Sequence, residues 1–232
     1  MILSELLIYG IVVIIWNILI WLNYYKSMDH KVLLLLYKKC YSYLLISSVI
    51  IALLFFAPYL IVLIPICGFW EIMSLLYKQK CFNTFGLISI ILYLLFCCLF
   101  ISHLQFDILV LIRIYLLVNV FDANSQLFGM LIGRTKVLPK ISPSKTIEGT
   151  ICGLLSVVIM CMLFTQMSYQ SLLFSLGIAL FSFIGDMLAS LYKRKVGVKD
   201  FSNYIPYHGG ILDRFDSYIG AGVFSYVYMI LL

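Results

Sequence analysis

The fold is decided by residues 169–216, which read YQSLLFSLGIALFSFIGDMLASLYKRKVGVKDFSNYIPYHGGILDRFD. The first part of this stretch, to about residue 191, is long and apolar enough for a membrane-spanning helix. The following part, from residue 190, holds five cations, three carboxylates and a histidine. Because only 11% of the chain is charged, this concentration indicates a polyanionic ligand, such as phosphates with a metal ion, at a membrane surface.

The composition is that of a polytopic membrane protein. The 232 residues are 64% hydrophobic, which is more than the wetted surface of a soluble domain allows. The apolar run 2–22 is too long for a signal-peptide core and lacks a basic start and a small-residue cleavage site, so we expect a retained span. The seven cysteines form no Cys-x-x-Cys pair, and we expect neither a metal framework nor disulfides from them.

We predict an all-α, polytopic membrane helix bundle with about eight transmembrane helices and its active site on the cytoplasmic side. The spans are expected near residues 2–22, 41–57, 59–77, 84–102, 104–121, 150–166, 169–191 and 217–232. The apolar run 41–77 is divided at Pro58, because it is too long for one crossing of a core about 30 Å thick. Residues 1–103 form the N-terminal spans and residues 104–232 the catalytic region of one membrane domain.

The distribution of basic residues sets the topology. Loops 23–40, 78–83, 122–149 and 192–216 carry every Lys and Arg except Arg113, and the turns between them carry none. Cytoplasmic loops are enriched in Lys and Arg, so the pattern places the N-terminus outside and the four basic loops in the cytoplasm. We therefore expect a multi-pass protein, and the brevity of the chain and the lack of a targeting extension favour a bacterial inner membrane.

The first long loop ends in a segment suited to phosphate. Asp122 lies where a span is predicted to meet this loop, so it is either a helix terminator or a ligand. Residues 142–149, SPSKTIEG, are typical of a helix start with Ser144 as its cap and Glu148 in its first turn. The same geometry offers free backbone amides, Lys145 and a hydroxyl to a phosphate.

Asp186 lies about two turns inside the apolar seventh span, where a carboxylate costs roughly 2.5–3.5 kcal/mol. We expect it to face a polar cavity. Ser190 and then Lys193 or Arg194 follow on the same helical face, and the stripe leads towards the cytoplasm. Gly185 allows another backbone or a ligand to come close.

Two adjacent glycines, Gly209 and Gly210, precede a pair of aspartates near the start of the last span. Asp213 and Asp216 are three residues apart and share a face if the helix begins there. Together with Asp186 they suit Mg²⁺, which binds through one or two carboxylates plus phosphate oxygens. The alternative interpretation is a helix start capped by Asp213.

Charges also occur in other predicted spans. Glu71, Asp107 and Arg113 lie in apolar surroundings. Such residues normally pair inside a helix bundle, and we expect structural pairing here.

The C-terminal half resembles the phosphatidate cytidylyltransferase (CDP-diacylglycerol synthase) family. The resemblance rests on Gly185-Asp186, on the Ser142–Gly149 box, and on the series Ser190, Lys193-Arg194, Lys199-Asp200, His208-Gly209-Gly210, Asp213-Arg214 and Asp216. Tyr192 stands in a slot where the family has an apolar residue. The family pattern Asp-x-x-Ala-Tyr-x-x-Gly-Arg is kept at Asp122 and Gly129 but changed at Ser125, Gln126 and Met130.

The resemblance implies transfer of the cytidylyl group of CTP to phosphatidic acid, which gives CDP-diacylglycerol for phospholipid synthesis and releases pyrophosphate. It implies Mg²⁺, with two ions expected, held by Asp122, Asp186, Asp213 and Asp216. The implied catalytic residues are Lys145, Asp186, Lys193, Arg194, Lys199, Asp200, His208, Asp213, Arg214 and Asp216. The implied substrate-binding residues are Asp122, Ser142, Lys145, Thr146, Glu148, Ser190, Gly209 and Gly210.

Other functions remain open at this stage. The closest alternatives are an isoprenoid phosphate cytidylyltransferase and a CTP-dependent polyprenol kinase, and the complete His-Gly-Gly-x-x-Asp-Arg-x-Asp segment favours cytidylyl transfer over the kinase. A transporter is disfavoured, because polar residues cluster in two cytoplasmic loops and no internal repeat is evident. An inactive homologue is a further alternative, given the changes at Ser125, Gln126 and Met130. The expected partners are CTP and a membrane lipid, not nucleic acid, and a homodimer is allowed but not required.

Overall fold

The computed structural model describes residues 45–81, 83–164, 168–205 and 209–231, which are almost entirely helical. The predicted first span, 2–22, and the basic loop 23–40 lie outside the described residues. The elements in chain order are α1 (Leu45–Phe56), a 3₁₀ helix (Pro58–Val62), α2 (Leu63–Lys78), α3 (Thr84–His103), α4 (Ile108–Leu131), β1 (Lys136–Leu138), β2 (Ser142–Thr146), α5 (Ile147–Phe164), α6 (Tyr169–Val196) and α7 (Leu212–Leu231).

Four segments in the described part of the chain are long and apolar enough to cross a membrane. They are Pro58–Lys78, Thr84–His103, Ile108–Leu131 and Tyr169–Val196, and α1 and α5 are shorter apolar helices. The prediction of a helical membrane protein is confirmed. The total of eight crossings stays a prediction.

Helix α4 continues well past the predicted end of its span at residue 121 and ends at Leu131. The polar residues that suggested a loop are satisfied by the helix itself. The Asn124 side chain donates to the Val120 carbonyl (2.8 Å), and the Ser125 hydroxyl donates to the Asp122 carbonyl (3.1 Å). Asp122 therefore lies inside a helix, and its interpretation as a helix terminator was wrong.

The segment predicted as a helix start, residues 142–149, contains the start of α5 at Ile147 with Glu148 in its first turn, but its first part is a strand. Ser142–Thr146 pairs antiparallel with Lys136–Leu138, which departs from the all-α expectation. Ser142 precedes Pro143, and a residue before proline favours extended backbone. Helix α5 begins one residue after the strand, where the Thr146 hydroxyl accepts a hydrogen bond from the Gly149 amide (3.2 Å). Thr146 rather than Ser144 therefore satisfies the start of this helix.

Helices α6 and α7 pack closely against each other near the site. A Cβ atom at Gly185 would lie 2.5 Å from the Asp216 carbonyl oxygen, and one at Gly220 would lie 2.4 Å from the Phe181 carbonyl oxygen. Glycine at both positions lets the two backbones approach closely. This approach brings the helix turns that carry Asp186 and Asp216 next to each other.

Both long connections lie at one end of the bundle, because α4 and α6 run towards this end and α5 and α7 leave it. We call it the loop end; its described residues are 132–146, 197–205 and 209–211, together with residues 79–81 and 83 after α2. The Arg194 Nε atom at the end of α6 donates to the Ile141 carbonyl in the hairpin (3.2 Å). The two loops that carry the sequence motifs are therefore joined.

Replacement of Gly220 by valine is expected to destabilise the bundle by about 1–3 kcal/mol, because the added side chain meets a backbone carbonyl that cannot move aside. The measurement is thermal unfolding of the purified protein in detergent. Val227→Ala on the exposed face of the same helix is the control and should change little. Equal melting temperatures for Gly220→Val and the wild type would contradict the close packing.

Candidate active site

Three carboxylates from three helices face one another near the loop end. Asp122 of α4, Asp186 of α6 and Asp216 of α7 lie close enough for their charges to repel. Asp216 is buried and the other two are half-buried. Like charges that lie close together are unfavourable when both groups are ionised. The cluster therefore needs cations.

Lys145 is the cation that meets the cluster directly. Its Nζ atom lies 2.5 Å from Asp186 Oδ2 and 4.5 Å from the centre of the Phe183 ring. The Ser190 hydroxyl donates to the other oxygen of Asp186 (3.2 Å). Because Lys145 comes from β2 and Asp186 from α6, this ion pair joins the hairpin to α6.

Arg214 supplies a second positive charge, which interacts with Asp122. Its Nε atom is buried and has no hydrogen-bond partner among the described residues. A buried donor without an acceptor is unfavourable by about 1–3 kcal/mol. An anionic oxygen of a bound ligand would be a suitable acceptor for this Nε–H group.

Asp213 has a different environment from the other aspartates. Its Oδ1 atom accepts from Lys193 Nζ (2.6 Å), and its Oδ2 atom accepts from the amides of Phe201 and Gly210 (2.8 Å each). The side chain is only 4% exposed, and Lys193 also lies 5.2 Å from the centre of the Phe201 ring. These contacts make Asp213 an anchor of its loop, and neither amide belongs to α7, which begins at Leu212. The capping of α7 by Asp213 is therefore not seen, and its role as a metal ligand stays a prediction.

The paired glycines, Gly209 and Gly210, allow the backbone conformation of the same loop. Gly209 has a φ of +82°, which is costly for residues with a side chain, and exchanges two backbone hydrogen bonds with Ile205. A Cβ atom at Gly210 would lie 2.7 Å from Glu71 Oε1. Glu71, which we expected to pair within the bundle, thus reaches this loop, a contact that no sequence motif indicates. His208 lies outside the described residues.

Other predicted residues hold the loop end together. Arg194 donates to the carbonyls of Ile141 and Val198 (3.2 Å each). Glu148 accepts from the amides of Arg134 and Thr135 (3.1 Å each) and so closes the base of the hairpin.

The remaining predicted residues are placed as follows. Ser142 and Thr146 are buried in β2, and Lys199 is exposed. Asp200 lies beside Gly209, with its Cβ 3.2 Å from the position of an added Cβ there.

The residues present suit a magnesium ion that is shared with a ligand. Within the described ranges, no group of three His, Cys, Asp or Glu side chains is arranged to hold a metal by itself. Mg²⁺ does not require such a group, since it binds through one or two carboxylates plus phosphate oxygens. Asp122, Asp186 and Asp216 are oxygen donors whose mutual repulsion a divalent cation would relieve.

Comparison with known proteins shows the family of this chain. The sequence matches the cytidylyltransferase family over residues 2–232. The chain belongs to this family. It is 36% identical over 133 residues to a phosphatidate cytidylyltransferase of Haemophilus influenzae, an alignment that covers 53% of this chain and 46% of that protein. The family resemblance found in the motifs is thereby confirmed.

Further relatives have the same extent of similarity. A phosphatidate cytidylyltransferase of Staphylococcus saprophyticus is 40% identical over 111 residues, which cover 45% of this chain and 43% of that protein. The uncharacterized protein YnbB of Escherichia coli is 37% identical over 131 residues, which cover 54% of this chain and 44% of that protein. The chain thus spans less than half the length of these curated relatives.

The departures from the family pattern lie on α4. Ser125 packs against α5, since a Cβ atom at Gly149 would lie 2.3 Å from the Ser125 carbonyl oxygen. Gln126 and Met130 are exposed. These two changes therefore alter the surface of α4 near the loop end.

Replacement of Asp122 by asparagine is expected to raise the melting temperature in metal-free buffer by about 2–4 °C, the shift that about 1 kcal/mol produces in a domain of this size. The reason is the loss of one of three mutually repelling charges. The same change should reduce the stabilisation that Mg²⁺ gives. The measurement is thermal unfolding with and without Mg²⁺.

Asp107→Asn is the matched control, because Asp107 is exposed and precedes α4 at the opposite end of the bundle. It should leave both melting temperatures unchanged. If Mg²⁺ stabilises Asp122→Asn as much as the wild type, Asp122 is not part of the ion's environment.

Proposed function

We propose that this protein transfers the cytidylyl group of CTP to phosphatidic acid and forms CDP-diacylglycerol. The observation that carries the proposal is the Lys145–Asp186 ion pair, which joins the hairpin to α6 beside Asp122 and Asp216. The family and the names of the relatives from Haemophilus and Staphylococcus support it. A mixed cluster of carboxylates and cations is the type of site that two reacting phosphate groups require.

The chemistry needs charge neutralisation more than proton transfer. A phosphate oxygen of the lipid attacks the α-phosphorus of CTP, the bond from that phosphorus to the β-bridging oxygen breaks, and pyrophosphate leaves. The nucleophile is already anionic at neutral pH, so no strong general base is needed. The obstacle is repulsion between two polyanions and the charge that develops on the leaving group.

Several groups of this chain contribute to the neutralisation of charge on the reacting phosphates. Mg²⁺, when held by Asp122, Asp186 and Asp216, would neutralise charge on the reacting phosphates. Lys145 and Arg214 lie beside the carboxylates and are placed to bind phosphate oxygens, with the buried Arg214 Nε atom available as a donor. The exposed Lys199 at the loop end is suited to the outer part of the triphosphate.

The orientation in the membrane follows from the basic residues. The loop end contains the cations of residues 132–146 and 197–211, and Lys and Arg are enriched on the cytoplasmic side of membranes. We therefore place the loop end in the cytoplasm of a bacterium, where CTP is made. The protein is then a multi-pass protein of the inner membrane.

An apolar groove leads from the lipid-facing surface to the carboxylates. It has a volume of about 230 Å³ and lies between α2, α3, α6 and α7. Ile88, Leu92 and Leu188 form its exposed wall, and Gly185 and Asp216 line its inner side. Since Asp216 belongs to both the groove and the cluster, a lipid phosphate at the cluster would have an acyl chain in this groove.

Replacement of Asp186 by asparagine is expected to lower the rate of cytidylyl transfer by at least about 100-fold, the usual effect of removing one electrostatic stabiliser. The assay uses purified protein, Mg²⁺, phosphatidic acid, and CTP labelled at either the α- or the γ-phosphate. Asp107→Asn serves as the control. Transfer of only the γ-phosphate to lipid would show a kinase, and turnover of only an isoprenoid phosphate would show the alternative lipid substrate.

Replacement of Ala189 by phenylalanine should fill the groove and raise the KM for long-chain phosphatidic acid about 10-fold, while the KM for a dihexanoyl analogue stays unchanged. The loss corresponds to the burial of roughly two methylene groups at about 0.8 kcal/mol each. Leu180→Phe is the control, because Leu180 is exposed on α6 and outside the groove. Equal KM changes for both lipids would refute the acyl-chain assignment.

A further inference from the structure

A buried glutamate outside the motifs contacts the motif loop. Glu71 of α2 is only 1% exposed. Its Oε1 atom accepts hydrogen bonds from the Ser202 hydroxyl (2.6 Å) and the Ile211 amide (2.9 Å), and its Oε2 atom accepts from the Leu212 amide (2.8 Å). Both oxygens are therefore used, and every donor belongs to the segment between α6 and α7 or to the start of α7.

The contact caps α7 from another helix. The first amides of a helix have no partner within the helix, and its N-terminus carries partial positive charge. A carboxylate from the loop itself would be the usual partner, but Asp213 is engaged by the amides of Phe201 and Gly210. Glu71 supplies the acceptor for the next two amides, those of Ile211 and Leu212.

This cap determines where α7 begins. Leu212 is the first residue of the helix, and Asp216 follows it by four residues, about one turn. Arg214 lies between them. Glu71 fixes the position of the Leu212 amide. It therefore also sets where Asp216 and Arg214 lie along the axis of α7, relative to Asp186 on the neighbouring helix.

The sequence of the loop leaves space for the Glu71 carboxylate. A Cβ atom at Gly210 would lie 2.7 Å from Glu71 Oε1, 2.8 Å from Oε2 and 2.9 Å from the Ser202 hydroxyl oxygen. The second glycine of the pair thus leaves room for the carboxylate. Gly210 and Glu71 form one packing unit although they are far apart in the chain.

We propose that Glu71 is a positioning residue for cytidylyl transfer, which fixes the start of α7 and thereby aligns Asp216 and Arg214 with the carboxylate cluster. The inference rests on the proposed function for its effect on turnover, but not for its effect on the helix start. Glu71 lies behind the loop and acts through the backbone, so the reacting groups are not its direct partners.

The test compares Glu71→Gln, Glu71→Asp and Ser202→Ala with the wild type in the full-length protein. Glutamine keeps the shape but replaces one acceptor oxygen with a donor that faces an amide. We expect kcat to fall about 10- to 100-fold, since small misplacements of reacting groups have effects of this size, while the KM for CTP changes less than 3-fold. Glu71→Asp should recover part of kcat, and Ser202→Ala, which removes one of three contacts, should lose less than Glu71→Gln.

Amide hydrogen exchange gives a readout that does not depend on turnover. In Glu71→Gln the peptides that contain Ile211 and Leu212 should exchange at least about 10-fold faster, the change expected when a structural hydrogen bond opens locally, while peptides of α6 keep their wild-type rates. If the wild type shows no transfer from CTP but this pattern holds, the proposed function fails and the positioning of α7 stands.

Two results would overturn the proposal. One is unchanged kcat and unchanged exchange at Ile211 and Leu212 in Glu71→Gln. The other is loss of activity only in proportion to the unfolded fraction, with faster exchange throughout the bundle, which would show a general role in stability. Should Glu71→Gln not fold, Ser202→Ala decides by the same two measurements.

Discussion

Burial of negative charge is the constraint on which the loop end of this protein depends. Five carboxylates lie in or against a bundle whose helices are otherwise apolar: Glu71, Asp122, Asp186, Asp213 and Asp216. A buried carboxylate without partners is strongly unfavourable. The structure meets this constraint in two ways. Glu71 and Asp213 are surrounded by donors, most of them backbone amides, whereas Asp122, Asp186 and Asp216 repel one another and depend on Lys145, Lys193 and Arg214.

These two arrangements have different consequences. Carboxylates that accept several amide hydrogen bonds fix the backbone, so Glu71 and Asp213 define the loop before α7. Carboxylates that are only partly neutralised by nearby cations can also bind a ligand with charges of both signs, such as a nucleotide with its metal ion. The contacts that link the halves, Lys145–Asp186 and Arg194–Ile141, come from segments far apart in sequence. The candidate site is therefore assembled only when the hairpin and α6 are packed together.

The sequence predicted the membrane class and the family because both depend on local patterns: apolar runs and motif spacing. The prediction failed where the hydrogen-bond partner of a residue was distant in the sequence, or was a carbonyl of the residue's own helix. The span was predicted to end at residue 121, but the side chains of Asn124 and Ser125 bond to α4 carbonyls and the helix continues. The sequence indicated that Glu71 needs partners but not which ones, since they lie more than a hundred residues away and two of the three are backbone amides, which every residue type except proline can supply. The roles assigned to individual site residues stay predictions.

The spacing of the motif Gly-Gly-x-x-Asp-Arg-x-Asp has a physical explanation in this loop. Asp213 is three residues after Gly210 and accepts a hydrogen bond from its amide, so the first aspartate closes the turn that the glycines allow. Asp216 comes three residues later, about one helical turn onward, where α7 meets Gly185 of α6. The first aspartate therefore holds the backbone and the second presents its charge to Asp122 and Asp186. A shift of either by one residue would rotate it by about 100° around the helix and separate these two functions.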